Sequence, residues 1–103
     1  MVFITFECAP ASRVNANKKF GGAFVSCWVK THDQKEAKQF ARKFVREQGW
    51  RVVKLDQCCN IMRVDYDDNH SRDGVLSFDD AERNGSSFTF HTFPKSRRKS
   101  GAR

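Results

Sequence analysis

One hundred and three residues, 39% of them hydrophobic, suffice for one domain with a single core, and no apolar run approaches the ~18 residues of a membrane-spanning helix. The start, Met1 to Glu7, lacks the basic leader of a signal peptide, so the chain reads as cytoplasmic and its four cysteines as reduced thiols. The formal net charge of +7 points to an anionic partner, but it is unevenly spread: residues 1–56 carry eleven basic against five acidic side chains, residues 57–94 three against seven, and residues 95–103 five against none.

Val2, Ile4, Phe6 and Cys8 alternate with Phe3, Thr5 and Glu7, the period of a half-buried strand. Ala9 to Gly22 reads as a long loop ending in a glycine pair. Ala23 to Lys30 is the second strand, with Ala23, Val25, Cys27 and Val29 on one face and Phe24, Ser26, Trp28 and Lys30 on the other. A helix follows. Asp33 with Glu36, or Thr31 with Gln34, can form its capping box. Ala37, Phe40, Ala41, Phe44 and Val45 make one apolar stripe, and Gly49 supplies a left-handed C-cap. Trp50 to Leu55 is the third strand, so residues 23–56 predict a parallel, right-handed strand–helix–strand unit.

Ile61 to Tyr66 predicts a short strand or a helical turn, followed by a polar loop to Gly74. Phe78 to Arg83 predicts a short helix begun by Ser77 as N-cap, and Ser87 to Phe93 the last strand, stopped by Pro94. Residues 1–94 therefore form one α+β domain, and the basic tail 95–103, without a large apolar residue, is expected to be disordered. The expected architecture is a two-layer sandwich, ferredoxin-like in outline. It has a four-stranded mixed sheet with one long helix and one short helix on one face.

Such an arrangement leaves Phe3, Phe24, Trp28, His91 and Phe93 on the reverse of the sheet, with Trp50 as a further candidate. A sheet face in water is normally polar, so a contiguous aromatic patch predicts a contact surface. The patch would meet a second copy, be covered within the chain, or stack unpaired bases. The ribonucleoprotein signature that would favour bases is absent.

Lys35, Lys38, Arg42 and Arg46 form a basic ridge on the helix, away from its apolar face. Together with Arg97, Arg98 and Lys99 of the tail it could ride on phosphates; a solvated helix back is the plainer account. Asp65, Asp67, Asn69, Ser71 and Asp73 have the spacing of a calcium loop. His70 and Leu76, however, occupy the turn glycine and bidentate glutamate positions, so an Asx-rich turn is the better reading. No zinc-ligand spacing is present, and neither a metal nor a cofactor is expected. The standard catalytic motifs are missing, leaving His91 or Cys58/Cys59 as the residues around which a hydrolase or thiol enzyme would form.

The leading expectation is a non-enzymatic binding module, a homodimer or a partner-binding protein, contacting through the aromatic sheet face. The alternatives are a nucleic-acid-binding protein using the ridge and tail, and the small hydrolase or thiol enzyme.

Overall fold

Strict alternation at the start of the chain becomes β1 (Val2–Pro10), with Val2, Ile4, Phe6 and Cys8 buried and the residues between them half-exposed. The computed structural model describes residues 1–11, 20–66 and 72–94. The calcium-type spacing lies largely outside them, as does the basic tail. β2 (Phe20–Val29) runs antiparallel to β1, Val2 opposite Val29 and Cys8 opposite Ala23. β3 (Trp50–Asn60) pairs antiparallel with the other edge of β1, and β4 (Ser86–Pro94) with the free edge of β2.

The strand order is β3-β1-β2-β4. The molecule is a small α+β domain with a four-stranded antiparallel sheet, not the expected mixed one. β2 and β3 do run the same way, but β1 lies between them, so the strand–helix–strand unit is split. β1 and β2 pair with each other, and the strand that follows α1 takes the remaining free edge of β1.

The crossover helix α1 (Gln34–Glu47) starts at an Asp33 cap, whose Oδ1 accepts from the backbone N–H of Lys35 at 2.9 Å and of Glu36 at 3.2 Å. Thr31 Oγ1 donates to Glu36 Oε1 at 3.0 Å. Asp33→Ala is expected to cost about 1 kcal/mol, read as a lower urea midpoint with an unchanged slope. Gly49, at φ 90°, turns the chain into β3. The stripe Ala37, Ala41 and Val45 is fully buried on Val2, Ile4, Phe6, Val25 and Cys27. Phe44 stacks on Phe88 with ring centroids 3.9 Å apart, extending the core toward β4.

β3 is longer than its alternation suggests because it bulges twice. Thr5 faces Gln57 while Phe6 faces Leu55, and Glu7 faces Lys54 while Cys8 faces Val52. Each bulge skips one residue, so Val52, Leu55 and Cys58 all reach the core at intervals of three, and Val53 is 53% exposed.

Arg63–Tyr66 form a 3₁₀ turn, and α2 (Arg72–Asn84) follows. The expectation of a short helix sharing one face with α1 is corrected on both counts. α2 has thirteen residues against fourteen in α1, with Ser77 inside it rather than capping it. Its buried side chains, Phe78 and Ala81, pack on Trp28 and Phe3, which point away from the Val2/Ile4 side. One helix therefore covers each face. The sheet carries rings on both sides, and a second helix on the α1 side could not have sealed the reverse.

Arg63 holds α2 through both Asp79 oxygens, at 2.9 and 3.2 Å. That hydrogen bond, reinforced by the Arg63 and Arg83 charges, keeps the Asp79 carboxyl below its usual range. The tie is therefore present above the ordinary carboxylate pKa and is lost as pH falls through the lowered one.

Near the open end of the sheet, a Cβ at Gly22 would stand 2.5 Å from the Cys8 carbonyl oxygen and 2.5 Å from the Phe93 ring. The ring can swing but the carbonyl cannot, so Gly22→Ala is expected to cost about 1–3 kcal/mol, checked by thermal unfolding.

Candidate anion-binding site

The basic ridge of α1 occupies the flank of the helix nearest β3. Phe40 and Phe44 lean toward Phe88 on the other flank, which fixes the rotation of the helix about its axis. Arg42 lies over Phe6, its guanidinium carbon 5.9 Å from the ring centroid, so its stem covers apolar surface while its charge faces out. Beyond it, Arg42 and Arg46 meet Arg51 from β3 around an open cavity of about 460 Å³. Trp50, Val52, Pro10 and Ala11 complete its lining. The end of β1 is pinned there by Ala11 N–H donating to the Gly49 carbonyl at 2.9 Å.

Among the described residues no carboxylate lines this cavity, and Arg42, Arg46 and Arg51 form no salt bridge. The C-terminal end of α1 opposes an anion by roughly half a charge, against three guanidinium groups. The same stripe continues along α1 through Lys38 and Lys35. Arg51 was not among the sequence candidates. A single arginine opening a strand carries no signal until the turn at Gly49 folds it back beside α1.

The expected aromatic face is divided. Phe3 and Trp28, with ring centroids 5.0 Å apart, lie under α2, and Trp28 is 6% exposed. Phe24 and Phe93 stay together at the uncovered end, 5.1 Å between centroids, with His91 exposed beside Phe24 in the register. Trp50 is absent from this face and belongs to the core under α1. A smaller cavity of about 280 Å³ lies between α2 and the sheet, lined by Trp28, Gly74, Leu76, Ser77, Thr89 and His91 among the described residues.

Cys58 and Cys59, adjacent in sequence, take opposite faces of β3. Cys58 Sγ approaches Gln34 Oε1 at 3.8 Å, whereas Cys59 sits across from Phe3. Burial, with Glu7 nearby, pushes the Cys8 thiol up to about 11, and burial raises Cys27 further. Both stay protonated at pH 8. Alkylation of the native protein at that pH is expected to modify two thiols, Cys58 and Cys59, and all four after unfolding; a mass spectrum showing four additions on native protein contradicts it.

No family model matches the chain, and no curated protein or solved structure matches it either.

Proposed function

We propose that the protein binds nucleic acid along α1, holding backbone phosphates with Lys35, Lys38, Arg42, Arg46 and Arg51. The observation that carries this reading is the convergence of three guanidinium groups on one cavity, with no salt bridge to them and no carboxylate in the lining among the described residues. An elongated polyanion suits the site better than a small phosphate ester. From Lys35 to Arg46 the ridge rises about 16 Å along the helix, room for several consecutive phosphates. Trp50, 5% exposed, is too enclosed to stack a base, so the contacts are to the backbone and sequence preference is weak. The five basic residues of the tail add charge without adding readout.

Neutralising about three phosphates of a single strand at the three arginines alone contributes about −2 to the slope of log affinity against log salt, a loss of roughly 20-fold between 50 and 200 mM. The combined change Arg42→Ala, Arg46→Ala and Arg51→Ala is expected to make the slope shallower by about 2, with Lys35, Lys38 and the tail supplying what remains, measured by fluorescence anisotropy on single-stranded and duplex oligonucleotides. Wild-type binding that is absent at low salt, or a variant that binds as tightly as wild type, refutes the proposal.

A further inference from the structure

We infer that the outer edge of β4 is an interface at which two copies of this chain pair antiparallel, joining their sheets into one of eight strands. The inference does not depend on nucleic-acid binding.

The two edges of the sheet are built differently. An edge strand exposes a row of unpaired N–H and C=O groups, and proteins blunt it with charge, bulges or a covering element. β3 has two of these devices, carrying Arg51, Lys54 and Asp56 and bulging at two places. β4 has neither. Its nine residues, Ser-Ser-Phe-Thr-Phe-His-Thr-Phe-Pro, include no Lys, Arg, Asp or Glu. Its register with β2 is regular from Gly22/Phe93 to Val29/Ser86. It is the terminal strand, and no described backbone group outside β2 bonds to its residues.

Exposed apolar side chains flank this edge on both faces. Phe40, 46% exposed, extends from α1 beside Phe88, while Leu76 at 58% and Phe24 at 48% stand on the α2 side.

Charge selects a second copy as the occupant. The basic ridge and cavity lie over β3, at the opposite side of the sheet, whereas the meeting strands are neutral. Across eight strands the two β3 edges would be about 34 Å apart, well beyond the Debye length of about 8 Å at physiological salt. Five of the seven net charges follow β4 directly, in residues 95–103. Antiparallel pairing centred on Thr89, however, sets the two Pro94 ends at opposite ends of the ladder, about 34 Å apart, so the charge opposes association little along the paired strands. Antiparallel pairing of a strand with itself is two-fold symmetric and closes after two copies. Centred on Thr89, it sets Phe88 of each copy against Phe90 of the other on the α1 face, two aromatic cross-strand pairs that extend the Phe44/Phe88 stack.

Light scattering of the full chain at about 100 µM is expected to give twice the chain mass, given a dissociation constant of about 10 µM or tighter. Thr89→Lys places two ammonium groups opposite each other at the centre and is expected to weaken the dimer at least tenfold. Val53→Lys on the β3 edge should leave it unchanged. Hydrogen exchange of the wild type at two concentrations gives a readout without substitution: β4 amides gain protection on concentration and β3 amides do not. A single-chain mass at that concentration, or a dimer that survives Thr89→Lys in a folded protein, overturns the inference, and so does concentration-independent exchange in β4.

Discussion

Phe6→Ala is expected to lower the free energy of unfolding by about 3–5 kcal/mol, a large share of the ~5–15 kcal/mol that holds a domain of this size together. Among the described residues Phe6 is the largest side chain with no exposed surface. It sits in a central strand with β2 and β3 on either side, under α1 and beneath the Arg42 guanidinium. Its surroundings are held by hydrogen-bonded backbone on both sides, so the vacated space cannot collapse cheaply. Phe24→Ala, in the next strand but 48% exposed on the reverse face, should cost under about 1 kcal/mol by the same area argument. Chemical denaturation of the two variants side by side is the measurement. Comparable losses would mean that the side-chain alternation of the sheet has been misplaced by one residue.

Trp28→Ala is expected to cost a similar ~3–5 kcal/mol, but to spend it differently. Trp28 anchors a small second cluster with Phe78, Ala81 and Phe3, separate from the core under α1. Without the indole, Phe78 and Ala81 of α2 keep Phe3, Met1 and Ile61 as apolar neighbours among the described residues, and the Arg63–Asp79 and Lys30–Glu82 pairs persist at the surface. Amide exchange should therefore rise in α2 well above its rise in β1 and β2, whose α1-side packing is intact. A uniform loss of protection across the molecule would show that the two clusters unfold as one unit.

Part of this construction is legible residue by residue. Asp33 caps α1, Gly49 ends it with a positive φ, and Ala37, Ala41 and Val45 are buried as their spacing requires. The division of rings between the faces follows from alternation in β1, β2 and β4, and it holds in the register. β3 defied the same reasoning because period two assumes a regular ladder. Two bulges put Val52, Leu55 and Cys58 on one side, and nothing local in Val-Val-Lys-Leu-Asp-Gln-Cys announces them. Ser77 resembles an N-cap, so the sequence predicts a helix shorter than α2. Gly74, Phe78 and Ala81 share its buried face, and a glycine adds no apolar signal to that stripe.

What the sequence determined by itself was therefore the short-range structure: which residues alternate, where α1 begins and stops, and which side chains can share a face. Those choices depend on backbone sterics, caps and a hydrophobic period, all acting over a few residues. The placement of α2 on the reverse face was decided by tertiary structure, as were the insertion of β1 between β2 and β3 and the meeting of Arg51 with Arg42 and Arg46. Each depends on which edge or face remains open once the first hairpin and α1 are in place, and that competition is between elements far apart along the chain.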